Sequence, residues 1–168
     1  RRGDALIDRA MIHVLGQMAP APRILDFSPY GYDERQYCSP GFDLPVGLLQ
    51  RSQFGTFPEY HTSADNLDFI RPEHLAESYR MITAALDVVE HDWRPLSTNP
   101  KCEPQLGRHG LYSALGGDKD GPAKSMAFLW VLNLADGRHS LLDIAERAKL
   151  PFAVVAEAAR LLRESGLL

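Results

Sequence analysis

Residues 23–37 read Arg23-Ile-Leu-Asp-Phe-Ser-Pro-Tyr-Gly-Tyr-Asp-Glu-Arg-Gln-Tyr37. The short apolar run through Ile24, Leu25 and Phe27 is of strand type, and Pro29 and Gly31 end it in a loop. Upstream, residues 4–17 place Ala5, Leu6, Ala10, Ile12, Val14 and Leu15 near helical spacing, and Pro20 and Pro22 forbid continuation. Helix, strand, then a polar loop at the strand's C-terminal end is the order in which α/β sheets present their sites. The expected fold class is therefore α/β, a sheet-and-helix domain.

Working outward, residues 44–49 offer a second strand among the breakers Gly41, Pro45, Gly47, Gly55 and Pro58. Pro72 sits well at the first position of a helix reaching about His91, with Leu75, Tyr79, Ile82, Leu86 and Val89 as its apolar stripe. Residues 1–95 are expected to form this first domain. Residues 96–120, with Pro100, Pro104 and the Gly116-Gly117 pair, read as a connector. Residues 121–168 read as three short helices: 123–134 stopped by Asp136-Gly137, 141–148 capped by Ser140, and 152–164 begun by Pro151 and ended by Gly166. A tight turn between the last two makes a helix-turn-helix arrangement.

Composition narrows the function. The 168 residues are 45% hydrophobic and 24% charged, ordinary for a chain with a packed core. The net charge of -4 argues against nucleic acid as the partner of the whole chain. Cys38 and Cys102 match no zinc spacing and read as free thiols in a reducing cytoplasm. No apolar run approaches the roughly 20 residues of a membrane helix. The start, Arg1-Arg-Gly-Asp4, carries neither an initiator methionine nor a signal peptide, so a fragment is expected.

The strongest chemistry lies between residues 32 and 69. Asp33 stands in one glycine- and proline-punctuated loop and His61 in a second polar loop before a helix. Carboxylate oxygen and imidazole nitrogen are the donors hydrolytic zinc takes, although catalytic zinc commonly has three protein ligands. The bland alternative pairs Asp33 with Arg35 or makes it a cap, and makes His61 a buried, hydrogen-bonded imidazole. His13, His74, His91, His109 and His139 form no ligand pair at helical spacing, and no Gly-x-Ser-x-Gly nucleophile motif occurs.

The phrases Asp33-Glu-Arg-Gln-Tyr-Cys-Ser-Pro-Gly-Phe-Asp-Leu-Pro-Val46 and Pro58-Glu-Tyr-His-Thr-Ser-Ala-Asp-Asn-Leu-Asp-Phe69 resemble an aminopeptidase-like family found with polysaccharide-biosynthesis genes. That family is similar to the dinuclear-zinc aminopeptidases. The resemblance covers about residues 1–95. It implies Asp33 and His61 as metal ligands and zinc, two ions in the full-length protein, as cofactor. It also implies metal-assisted hydrolysis of a peptide-like or amide substrate. Glu34 departs from it, standing where those enzymes have histidine. The remaining ligands and the Glu-Glu pair that includes the general base are expected upstream, so this part alone is expected to be inactive. Asp65 is expected to cap its turn, or else to accept the second ring N–H of a metal-bound His61. Arg35, Tyr37 and Tyr60 are candidates for stabilising an oxyanion, with packing as the alternative for the tyrosines.

Similar proteins in that family end in a winged-helix-like module, and residues 134–148 fit the pattern. Its helices balance Arg147, Lys149, Arg160 and Arg163 against Asp143, Glu146, Glu157 and Glu164, which is not a phosphate-binding face. Wing strands are expected beyond Leu168. Packing against the preceding domain, or a homo-oligomer, is the expected role. The competing reading is a non-catalytic aminopeptidase-like or helix-turn-helix interaction or regulatory protein.

Overall fold

The computed structural model describes residues 2–111 and 121–168. The Gly116-Gly117 pair of the expected connector lies outside them. The expected α/β class does not hold: the described residues form helices and no sheet, and a single isolated bridge joins Leu96 and Asp136. The physical reason is that strand identity is not local. Residues 23–27 meet no neighbouring strand, and the Phe27 N–H is taken by the adjacent Asp26 carboxylate at 2.7 Å. In residues 44–49, Leu44 donates to the Tyr37 carbonyl and Val46 to the Leu44 carbonyl. Those are turn bonds, not ladder bonds.

The chain divides into two compact units, residues 1–89 and 90–168. In the first, α1 (Leu6–Met18) starts where Asp8 accepts the Ala5 N–H at 3.1 Å, and it buries Ala10 and Val14. α2 is the single turn Glu34–Tyr37. Cys38 follows it, buried, its thiol donating to the carbonyls of Leu44 and Val46 at 3.2 and 3.4 Å. α3 (Pro72–His91) buries Ala85 and Val88. The stripe Leu75, Tyr79, Ile82, Leu86 and Val89 is instead exposed.

The second unit is a three-helix module. α4 (Gly121–Leu134), α5 (Leu141–Ala148) and α6 (Phe152–Glu164) surround Phe128, Val131, Leu141, Leu142, Ile144, Val155 and Leu162, all buried. Ser140 and Asp143 cap α5 reciprocally, with bonds of 3.2 and 2.7 Å. Lys149 ends α5 in the left-handed region (φ 56°), and Pro151 opens α6 two residues later. Residues 92–98 belong to this module: Asp92 accepts the Leu142 N–H, Ser97 donates to Ala135, and Thr98 donates to Leu167.

Candidate metal-binding site

Asp33 is the residue before α2, and its carbonyl accepts the Gln36 N–H at 2.9 Å and the Tyr37 N–H at 3.2 Å. Its exposed carboxylate caps nothing and has no hydrogen-bond partner among the described residues. Glu34, the departure from the family pattern, has work of its own. Both its oxygens accept the Tyr32 N–H at 3.0 Å, pinning the turn that presents Asp33. The same carboxylate fills the space beside Gly31, where any Cβ would collide with it.

His61 is exposed and adopts φ 59°, a left-handed conformation that costs a non-glycine residue about 1–2 kcal/mol. Its ring stacks on that of Tyr60, centroids 4.0 Å apart and planes 15° apart. A run of turns follows: the Thr62 hydroxyl donates to the Glu59 carbonyl at 2.8 Å and accepts the Ala64 N–H at 3.2 Å. Asn66 accepts the Asp68 N–H at 2.9 Å. Capping here is done by Thr62 and Asn66, while the exposed Asp65 engages the turn through its backbone N–H to the Thr62 carbonyl.

The two turns meet through the residues that precede the candidate ligands. The Tyr32 and Tyr60 hydroxyls are hydrogen-bonded to each other. Phe54 lies at the centre of the cluster, edge-on to Tyr32 at 5.2 Å, 5.7 Å from Tyr30 and 6.3 Å from Tyr60. Chiefly the Tyr32 hydroxyl, and then desolvation, hold the Tyr60 phenol above the usual tyrosine range. Arg51 ties this region to α3, reaching His74 Nδ1 at 3.0 Å and Glu77 Oε2 at 2.9 Å, and holds the Glu77 carboxyl below its usual range. Arg35 and Tyr37 are exposed on α2. Tyr32 was absent from the sequence candidates. The signal for it was the parallel between Tyr32-Asp33 and Tyr60-His61, a phenol before each candidate ligand.

Asp33 and His61 are donors of the right chemistry for zinc. No group of three or more His, Cys, Asp or Glu side chains converges among the described residues, so the three protein ligands of a catalytic zinc are not assembled there. No described helix is long and apolar enough to cross a membrane.

The chain thus carries a carboxylate and an imidazole on two joined turns, followed by a three-helix module of helix-turn-helix type. Residues 1–92 match the family described as a domain of unknown function, DUF4910, and the chain belongs to that family. Residues 93–168 match the winged helix-turn-helix family. A Clostridium acetobutylicum protein described as "Putative polysaccharide biosynthesis protein with aminopeptidase-like domain" is 45% identical over 99% of this chain. The chain covers 38% of that relative's length and corresponds to its C-terminal part. A crystal structure of a "putative peptidase" from Clostridium acetobutylicum superposes with a TM-score of 0.86 at 41% identity, over 98% of this chain and 36% of that one.

Proposed function

We propose that this chain is the C-terminal part of a zinc-dependent, aminopeptidase-like hydrolase that cleaves a peptide or amide bond in polysaccharide biosynthesis. The observation that supports the reading is the Tyr32–Tyr60 hydroxyl contact, which joins the turn bearing Asp33 to the turn bearing His61. Asp33 and His61 would hold metal, and the remaining ligands and the general base come from the rest of the full-length protein. Zinc, when bound, lowers the pKa of water to about 7 and polarises the scissile carbonyl. On this chain, Glu34 and Gly31 fix the Asp33 turn, and the Tyr60 stack fixes the His61 ring. Of the two paired phenols one donates to the other, and the one that accepts keeps its own O–H to donate to an oxyanion.

The test is metal content and zinc titration calorimetry on the full-length protein. Stoichiometric zinc is expected, with tight binding lost in Asp33→Ala and in His61→Ala while circular dichroism is unchanged. A full-length protein that stays metal-free after equilibration with zinc overturns the hydrolase reading in favour of a non-catalytic relative.

A further inference from the structure

In a helix-turn-helix module the second helix of the pair is the one that enters the major groove, with its N-terminal residues against the base edges. Here that helix is α6. The accessible positions of its first two turns are Ala153, Val154, Ala156 and Glu157. None is a donor of the arginine, asparagine or glutamine type that reads bases, and the glutamate opposes phosphate.

The two arginines further along are already engaged. Arg160 reaches both Glu157 oxygens at 2.7 Å and Glu164 Oε1 at 2.5 Å. Arg163 lies over the Trp93 ring, 5.4 Å from its centroid. Trp93 belongs to a segment bonded residue by residue into the module. Leu142 donates to the Asp92 carboxylate at 2.8 Å and Leu141 to the Trp93 carbonyl at 3.0 Å. Arg94 Nε donates to the Arg138 carbonyl at 3.1 Å, and Gly137 donates to the Pro95 carbonyl at 2.9 Å. A cleft of about 550 Å³ remains between this segment and α6, lined by charges of both signs: Glu90, Asp92 and Glu157 with Arg160 and Arg163.

We infer that the last turn of α6 is latched to the chain's own 90–95 segment by Trp93 on Arg163, and that α6 is not a nucleic-acid-reading helix. The inference stands apart from the hydrolase reading, because no candidate metal ligand takes part in it. The fold of a reader is kept, while the last turn of its second helix holds the segment that enters the module.

Two measurements on the 168-residue chain test it. In fluorescence anisotropy with a short mixed-sequence DNA duplex at low salt, no saturable binding is expected up to about 100 µM, the weak end of the roughly 10⁻⁴–10⁻⁶ M range of non-specific binders. Saturable binding that falls steeply with salt overturns the inference. Arg163→Met keeps the apolar stem and removes the cation. It is expected to shift Trp93 emission to the red and raise its acrylamide quenching, while Lys149→Met changes neither. Trp130 is common to all three spectra. An Arg163→Met spectrum and quenching constant equal to wild type overturn the latch.

Discussion

The two units of this chain bury their apolar residues very differently. Residues 90–168 close a core in which Phe128, Leu141, Leu142, Ile144, Val155 and Leu162 are fully buried. In residues 1–89 the buried hydrophobics are Ala10, Val14, Cys38, Ala85 and Val88, all small or medium. The large ones stand open, with Leu67 at 87%, Phe42 at 72% and Leu75 at 61% exposure. The chain covers 38% of its Clostridium relative, and we propose that the remainder of the aminopeptidase-like domain packs on the first unit. The second unit holds what it needs within itself.

The largest effect that tests this contrast is a matched pair of truncations. Leu162→Ala removes a side chain at 0% exposure and leaves a cavity, so the second unit is expected to lose about 2–5 kcal/mol in urea unfolding. Leu67→Ala, made in the same chain, is expected to change stability by no more than about 0.5 kcal/mol. In the full-length protein the Leu67→Ala cost should rise if that residue is covered there. Equal, small effects of both substitutions in this chain would break the comparison.

The helices of the second unit were legible in the sequence because their signals are local. Ser140 before Leu141, Pro151 before Phe152 and Gly166 after Glu164 each satisfy a helix end within a few residues. The end of α5 was less explicit, since Lys149 rather than glycine takes the left-handed cap. The first unit was misread where the decision depends on distant chain. Residues 23–27 have the composition of a strand, but composition supplies no partner edge. The Tyr32–Tyr60 contact spans 28 residues and the Asp92–Leu142 bond spans 50, beyond any spacing rule. Residues 33–46 and 58–69 pointed to the family through resemblance, not through geometry.

A middle-sized effect concerns how α5 begins. Its first three N–H groups are satisfied by three acceptors: the Trp93 carbonyl takes Leu141, the Asp92 carboxylate takes Leu142, and the Ser140 hydroxyl takes Asp143. Ser140→Ala is expected to cost about 1 kcal/mol, as loss of a helix cap commonly does. The Asp92 bond also anchors the segment on the start of α5, so Asp92→Ala should add to that loss and raise amide exchange at Leu141 and Gly137, whose N–H groups the segment accepts. If Asp92→Ala leaves exchange at those residues unchanged, the Trp93, Arg94 and Pro95 bonds hold the segment without it, and Asp92 is not an anchor.

The smallest effect is read by acid, and it isolates one turn of the second unit. Asp136 Oδ1 accepts the N–H groups of Arg138 and His139 at 2.8 and 3.1 Å and lies 3.1 Å from His139 Nδ1. Those bonds, the Arg138 N–H first, lower the Asp136 carboxyl from 3.8 to about 2. A carboxyl whose folded pKa is depressed stabilises fully above its unfolded pKa and loses that contribution as pH falls through the folded value. The window here runs from near pH 4 down to about pH 2. Glu157, lowered by Arg160, and Glu77, lowered by Arg51, add their own acid sensitivity, so the wild-type curve alone cannot assign it. Asp136→Asn can: it keeps a neutral acceptor and removes the titration. The wild-type advantage in Tm over Asp136→Asn should be constant near neutrality and shrink across that window, whereas an advantage that persists unchanged into strong acid would mean the turn is held by shape and not by charge.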